Sequence, residues 1–142
     1  MPKILIVEDD AAILELLRLH LTEGGHQVVA AEDGLSGPMV AAKEKPQLIL
    51  LDYNMPAANG GKVLERLRGN SFTASTPVIF VTASPVADIM TQVPDDPRVR
   101  FIQKPVDFPT LDRLIAELAG GVAPSSPAPA APPAEDGPLS LD

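Results

Sequence analysis

Short, unbroken apolar runs recur along the first part of the chain, and residues with helical spacing lie between them. Because the runs do not alternate with polar residues, they predict strands that are covered on both faces. Stripes such as Ile13, Leu16, Leu17 and Leu21 predict amphipathic helices between the strands. This alternation predicts an α/β fold, with helices on both faces of a doubly wound, five-stranded parallel sheet joined by right-handed crossovers. The apolar runs occupy residues 4–7, 28–31, 48–51, 78–81 and, less cleanly, 99–102.

Glycine and proline residues limit the predicted helices. The first helix is expected to end at Gly24 and Gly25, since glycine commonly follows the last turn of a helix. Pro85, Pro94 and Pro97 leave room only for a short fourth helix, because proline does not fit a helix interior. The segment between the fourth and fifth runs is therefore the least regular part of the predicted fold.

The composition changes at Gly121, and the folded unit is expected to end there. Residues 121–142 hold no basic residue, and such a segment cannot bury enough apolar surface to fold. We therefore predict a folded domain over residues 1–120, followed by a Pro/Ala-rich disordered tail or the stub of a linker. The prolines of this segment are Pro124, Pro127, Pro129, Pro132, Pro133 and Pro138.

The composition of the whole chain excludes several classes of function. With 142 residues and one folded unit, a second domain has no room. The absence of cysteine excludes disulfides and thiol catalysis and is compatible with a cytoplasmic location. A net charge of -8 repels nucleic acid phosphates, so direct nucleic acid binding is not expected. No secretory signal and no run of membrane-spanning length is visible, so a direct membrane role is not expected either.

Polar side chains follow four of the five predicted strands. Glu8 and Asp9 come after the first strand, Asp52 after the third, Thr82 after the fourth and Lys104 after the fifth. Parallel strands present their carboxyl ends at one edge of the sheet, where functional crevices form. The sequence therefore predicts that carboxylates, a hydroxyl and an ammonium group meet in one site.

A cluster of carboxylates at this edge indicates a bound cation. Carboxylates that lie close together raise one another's pKa unless a cation compensates their charge. Magnesium fits best, because proteins usually hold it with one or two carboxylates, waters and a phosphate oxygen. With the charge neutralised by metal and ammonium, Asp52 could attack phosphorus and form an acyl phosphate.

Four segments of the chain resemble the signature segments of response-regulator receiver domains of two-component signalling, the chemotaxis-regulator-like family. They are ILIVEDD, LLDYNMPAANGG, VIFVTAS and FIQKP, and the resemblance runs from about residue 3 to residue 118. It implies a flavodoxin-like (βα)5 fold with strand order 2-1-3-4-5. It also implies that residues 1–120 form a receiver domain.

The resemblance assigns roles at the site. It implies that Asp9 and Asp52 bind Mg2+ directly, that Glu8 acts through a metal-bound water, and that Asn54 contributes its backbone carbonyl. Asp52 is then the phosphoacceptor, and phosphorylation is the chemistry of the site.

Further roles follow for the residues that would respond to phosphorylation. The resemblance implies that Thr82 and the backbone amide of Ala83 hold phosphoryl oxygens, and that Lys104 pairs with the new charge. Thr82 would be drawn inward and Phe101 would follow, which repacks the surface nearby. Phe101 could instead be an ordinary core aromatic.

Several positions match secondary features of the family. Pro105 follows the lysine, where the peptide bond is commonly cis, and Gly60 matches a glycine eight positions after the phosphoacceptor. Asn54 and Ser84 match positions that tune dephosphorylation. Asp10 is expected mainly to start a helix, where a carboxylate suits the helix dipole.

The resemblance also implies partners. The phosphoryl donor would be a sensor histidine kinase or a phosphotransfer protein, and a downstream protein target would read the phosphorylated state. The chain would not be an enzyme beyond self-catalysed phosphotransfer and autodephosphorylation. We expect a stand-alone receiver that acts through protein contacts or a phosphorelay. The receiver half of a larger regulator and a phosphorylation-dependent homodimer remain open.

Other functions fit less well. An aspartate-dependent phosphatase needs a second aspartate two residues after the acceptor, and Asn54 occupies that position. A flavodoxin needs a hydroxyl-rich phosphate loop after the first strand, where this chain has carboxylates. The loss of a site residue would favour a scaffold that works without phosphorylation, but the acceptor, the acids, the threonine and the lysine are all present. His20 and His26 are expected to be packing or surface residues.

Overall fold

The computed structural model describes residues 3–55, 59–91, 93 and 96–119, and within them strands alternate with helices. Residues 121–142, predicted to be a tail or linker, lie outside the described residues, as do Pro94 and Asp95. The strands are β1 (Lys3–Val7), β2 (Gln27–Ala31), β3 (Leu48–Asp52), β4 (Val78–Thr82) and β5 (Val99–Gln103). The helices are α1 (Ala11–Glu23), α2 (Gly37–Glu44), α3 (Gly60–Arg68), α4 (Val86–Met90) and α5 (Phe108–Leu118).

All five strands are parallel and lie in the order β2-β1-β3-β4-β5. The predicted architecture and strand order are confirmed. The register pairs Leu5 with both Val29 and Ile49, which aligns the first three strands. β2 lies on one side of β1, and β3, β4 and β5 follow on the other side. Open α/β sheets form their functional crevice at the point where the strand order changes direction in this way.

Alternate residues of the central strands face two separate cores. Leu5 and Ile49 pack with α2, α3 and α4, whereas Ile4 and Leu48 pack with α1 and α5. All four side chains are completely buried, and full burial of such a side chain stabilises a fold by about 1.5–3 kcal/mol. Because both faces are covered, the central strands read as unbroken apolar runs.

The prediction of two covered faces is wrong for β2. Of its five residues only Ala31 is buried, and Val28 and Val29 are half-buried. The physical reason is its position at the edge of the sheet, where fewer neighbours cover it. Leu16 of α1 also differs from the prediction. It belongs to the predicted apolar stripe, but 56% of its surface is exposed.

The helix limits agree with the sequence. Asp10 caps α1, and its carboxylate accepts hydrogen bonds from the N–H groups of Ala12 and Ile13 at 2.9 and 3.2 Å. The helix ends at Glu23 with Gly24 as its C-cap, and Gly25 follows with a φ of 93°, a conformation that favours glycine. The fourth helix is short, as predicted. No described helix has the length and apolar character needed to cross a bilayer.

Candidate functional site

The carboxyl ends of β1, β3, β4 and β5 bring the predicted site residues together. Asp52 and Thr82 are the last residues of β3 and β4, and Glu8 and Lys104 directly follow β1 and β5. Glu8, Asp52 and Thr82 are buried, with exposed fractions of 1%, 3% and 0%. Asp9 is exposed at the mouth of the site. The floor of the site is thus ionisable and shielded, and its entrance is open to solvent.

Lys104 supplies the only ammonium group that the described residues bring to this floor. Its Nζ lies 3.5 Å from Oδ1 of Asp52 and 3.5 Å from Oε1 of Glu8, and 19% of the side chain is exposed. The backbone N–H of Lys104 donates to the carbonyl of Thr82 at 2.7 Å, and the bond to Pro105 is cis. The ammonium group therefore lies between two carboxylates at the carboxyl end of β5.

Glu8 is the group whose ionisation the site perturbs most clearly. Burial raises the pKa of Glu8 to about 7, and its hydrogen bond with the carboxyl group of Asp52 raises it too. The charge of Asp52 acts in the same direction, whereas the N–H of Asp10 and the charge of Lys104 lower the pKa. A single ammonium group thus does not balance the carboxylates here.

Three carboxylates could hold a divalent cation. One oxygen each from Glu8, Asp9 and Asp52 lies within 4.8 Å of the others. Hard oxygen donors and the excess of negative charge suit Mg2+, which keeps several of its waters. Asn54 is held next to this group, because its N–H donates to Oδ1 of Asp52 at 3.0 Å.

Hydrogen bonds join the loop after β4 to the loop after β3. Oδ1 of Asn54 accepts hydrogen bonds from the hydroxyl of Thr82 at 3.2 Å and from the N–H of Ala83 at 3.0 Å. The N–H of Ser84 donates to the hydroxyl oxygen of Thr82 at 3.0 Å. The hydroxyl and amide predicted to hold a phosphoryl group therefore already point toward Asp52's loop.

A row of aromatic rings runs from the residue after Asp52 to the last strand. Tyr53 meets Phe80 edge-on, and Phe80 stacks on Phe101, with 5.5 Å between ring centres in both pairs. Phe101 is half-buried against the core. Gly60 begins α3 against this row, and a Cβ there would lie 2.6 Å from Cε1 of Phe80. Close approach of ring and backbone is thus the reason for glycine at this position.

The two histidines lie outside the site. His20 stacks on Phe108 with ring centres 4.0 Å apart, and its Nε2 is 2.9 Å from Oδ1 of Asp112. Burial lowers the pKa of His26, whose Nδ1 has no hydrogen-bond partner within the part of the chain that is described. His20 thus packs between α1 and α5, and His26 is a half-buried residue between α1 and β2.

Two features of the site were not predicted from the sequence. The contact between the Asn54 side chain and the loop after β4 joins residues 28 or 29 positions apart, and no local pattern encodes it. The contact of Tyr53 with Phe80 depends on the pairing of β3 with β4. The strand order that the resemblance implies places β3 next to β4, but it does not specify these side-chain contacts.

Comparisons with known proteins agree on one family. The profile described as "Response regulator receiver domain" matches residues 4–116. Protein PilH of Pseudomonas aeruginosa is 36% identical over 121 residues, which are 84% of this chain and 100% of PilH. The "DNA-binding dual master transcriptional regulator RpaA" of Synechocystis sp. is 37% identical over 75% of this chain. That match spans only 44% of RpaA.

Solved structures agree with the fold. The signal receiver domain of a signal transduction histidine kinase from Syntrophus aciditrophicus has a TM-score of 0.75 and 27% identity, covering 92% of this chain and 99% of that one. The chemotaxis protein CheY4 of Vibrio cholerae has a TM-score of 0.75 and 24% identity, covering 83% of this chain and 98% of that one.

Proposed function

Since the chain belongs to the response regulator receiver domain family, we propose that Asp52 is the residue that accepts the phosphoryl group. Receiver domains are phosphoacceptor switches of two-component systems, and they interact with histidine kinases or phosphotransfer proteins and with downstream targets. The observation that carries the assignment is the setting of Asp52. It is buried, 3.5 Å from the ammonium group of Lys104, and close to the carboxylates of Glu8 and Asp9.

The charges around Asp52 suit a reaction with an anionic donor. A carboxylate and a phosphoryl group repel each other, and attack on phosphorus needs that repulsion to be neutralised. Mg2+ would be held by Glu8, Asp9 and Asp52, together with the backbone carbonyl of Asn54, and would supply positive charge to the phosphoryl oxygens. Lys104 supplies the other positive charge, 3.5 Å from Oδ1 of the same carboxylate.

In the transfer step, an oxygen of Asp52 bonds to phosphorus as the bond from phosphorus to a histidine nitrogen of the donor breaks. The electron pair of the broken bond returns to the imidazole, and the product is an acyl phosphate on Asp52. The hydroxyl of Thr82 and the N–H of Ala83 would donate to phosphoryl oxygens, and Lys104 would pair with a third. Self-catalysed transfer and autodephosphorylation, rather than turnover of another substrate, are part of this proposal.

The response would travel through Thr82 and Phe101. Thr82 is completely buried at the end of β4, and Phe101 pairs with Phe80 on the neighbouring strand. A phosphoryl group that binds the Thr82 hydroxyl would bias the packing of Phe101, because Phe101 lies on the adjacent strand two positions before Gln103, the register partner of Thr82. A downstream protein would read that change.

We further propose that residues 1–120 act as a receiver in the cytoplasm and that residues 121–142 form a tail or linker. PilH, which matches over its whole length, supports a stand-alone receiver. RpaA, which continues well beyond the match, supports the alternative of one half of a larger regulator. A homodimer formed on phosphorylation would be tested by measuring molar mass with and without a phosphoryl mimic.

The acceptor is tested by labelling. We would incubate the protein and an Asp52→Ala variant with Mg2+ and acetyl phosphate, and record intact masses at acidic pH, where acyl phosphates persist. Asp112→Ala is a matched control, since it removes a largely exposed aspartate on α5 away from the site. We expect one phosphoryl group on the wild type and the control, none on Asp52→Ala, and none after chelation of the metal.

Equal labelling of wild type and Asp52→Ala would place the acceptor elsewhere. Failure of the folded wild type to label, with either acetyl phosphate or a histidine kinase, would instead favour a scaffold that works without phosphorylation.

A further inference from the structure

The side chain of Asn54 occupies the hydrogen-bond donors that the phosphoryl group would need. Its Oδ1 accepts from the Thr82 hydroxyl and from the Ala83 N–H, at 3.2 and 3.0 Å. The Ala83 N–H can only donate, which fixes the atom facing it as the amide oxygen. In the proposed function of Asp52, these same two donors bind phosphoryl oxygens.

We propose that Asn54 is a positioning residue whose amide oxygen stands in for a phosphoryl oxygen until phosphorylation displaces it. The inference rests on the proposed function of Asp52. The backbone of Asn54 is already fixed beside the acceptor, because its N–H donates to Oδ1 of Asp52. Its side chain can therefore reach the donors from the position of the acceptor's own loop.

The stand-in keeps the donors ordered before the reaction. Without Asn54, the completely buried hydroxyl of Thr82 could donate its hydrogen only to the Ser84 carbonyl, at 3.3 Å, among the residues that the structure describes. With Asn54 present, the hydroxyl and the Ala83 N–H converge on one oxygen atom. The phosphoryl group thus meets two donors that are aimed at a single acceptor position, which the amide oxygen already occupies.

The exchange favours the phosphoryl group because its oxygens are charged. Hydrogen bonds to an ionised acceptor are roughly twice as strong as those between neutral groups. The amide oxygen is neutral, so it gives way to the anion, but the anion must first break two existing hydrogen bonds. Asn54 therefore opposes phosphoryl binding by a modest factor while holding Thr82 and Ala83 in place.

The first experiment measures the equilibrium binding of a phosphoryl mimic. Beryllium fluoride with Mg2+ is titrated into the wild type and into Asn54→Ala. Losing one or two net hydrogen bonds of about 1 kcal/mol each corresponds to about a fivefold to thirtyfold change in affinity. We expect Asn54→Ala to bind the mimic more tightly by about that factor.

Two further variants make the result specific. Asn54→Asp keeps the shape of the side chain but makes the stand-in anionic, so we expect it to bind the mimic more weakly than the wild type. Asn70→Ala truncates an asparagine in the loop after α3, where its Oδ1 accepts from the N–H of Phe72. It should bind the mimic as the wild type does.

The second experiment does not depend on phosphorylation. Backbone 15N and 1H shifts and the hydrogen exchange of the Ala83 amide are compared in the metal-free wild type and Asn54→Ala. We expect the Ala83 resonance to move and its exchange to accelerate when the acceptor is removed. If the shifts of Thr82 and Ala83 and the exchange of the Ala83 amide are unchanged in Asn54→Ala, the hydrogen bonds from these residues to the Asn54 side chain do not form, and the inference is wrong.

The outcomes separate the two proposals. Asn54→Ala could show faster exchange of the Ala83 amide and yet bind the mimic no more tightly than the wild type. The proposal that the phosphoryl group displaces the Asn54 amide oxygen would then be wrong, whereas the proposal that Asp52 is the acceptor would stand. If Asn54→Ala is unfolded by circular dichroism, the comparison of Asn54→Asp with the wild type decides, and equal or tighter binding by Asn54→Asp overturns the inference. If the folded wild type is not labelled on Asp52, the proposed function fails instead, whatever the Ala83 amide does.

Discussion

Replacing Glu8 by glutamine should change how the stability of the metal-free protein depends on pH. The pKa of Glu8 is about 7 in the folded protein, against an ordinary value of 4.5. The folded state therefore binds this proton more tightly than the unfolded chain. The stability that the protonated group provides is complete below about pH 4.5 and is lost as the pH rises through about 7.

The size of the effect follows from the raised pKa. A rise from 4.5 to about 7 corresponds to about 3 kcal/mol of unfolding free energy once Glu8 is ionised in both states. Between about pH 5 and about pH 8, most of that difference, about 2–3 kcal/mol, should appear. Glutamine remains neutral and can still accept the hydrogen bond that the N–H of Asp10 gives to Glu8. Glu8→Gln should therefore gain stability relative to the wild type as the pH rises.

Urea unfolding followed by circular dichroism is the appropriate assay, since the chain has no tryptophan. Both proteins are measured with a chelator at about pH 5 and about pH 8. Glu65→Gln, which neutralises an exposed glutamate on α3, is the control and should follow the wild type. Mg2+ added at the higher pH should stabilise the wild type more than Glu8→Gln, because the wild type offers one more carboxylate to the metal.

Parallel pH profiles for wild type and Glu8→Gln would refute the reasoning. Such a result would mean that Glu8 ionises in the folded protein as readily as in the unfolded chain. A Mg2+ effect of the same size in both proteins would contradict the assignment of Glu8 to the metal site.

Two further predictions concern the stability of the scaffold. Gly60→Ala should lower the unfolding free energy by about 1–3 kcal/mol, since its Cβ would lie 2.6 Å from Phe80 and 2.9 Å from the Cα of Tyr53. Gly69→Ala is the control and should be nearly neutral, because the nearest atoms to its Cβ lie at 3.6 Å. Equal losses of stability in the two variants would refute the packing argument. Asp10→Ala removes the cap of α1 and should lower the free energy of unfolding in urea by about 1 kcal/mol. Asp10→Ser should recover most of that loss, because a serine hydroxyl can also cap the helix. A loss that serine does not recover would contradict the capping role.

Much of the fold could be predicted because the central strands are covered on both faces. Their unbroken apolar runs locate β1, β3 and β4 almost to the residue. The site could be predicted for a related reason, since the strands' parallel direction brings residues that follow different runs to one edge. Glu8, Asp52, Thr82 and Lys104 are far apart in the sequence and adjacent in space.

Other parts could not be predicted because they depend on spatial neighbours. α2 has few large apolar residues, with Gly37 and Ala41 as its buried positions, so its stripe is weak in the sequence. The exposure of β2 follows from its place at the edge, which its apolar sequence does not reveal. The hydrogen bonds of Asn54 depend on the conformations of two loops, and neither loop has a pattern that specifies the other.

The edge position of β2 has a consequence for association between copies of the protein. An edge strand exposes unpaired N–H and C=O groups, and natural proteins usually protect such strands with charged residues. β5 carries Arg100 at the opposite edge, whereas β2, with the sequence QVVAA, carries no charge. The net charge of -8 keeps copies apart at a distance and would therefore oppose edge-to-edge pairing. Because salt screens that repulsion within about 10 Å at 0.1 M, resistance to aggregation through β2 should weaken as ionic strength rises.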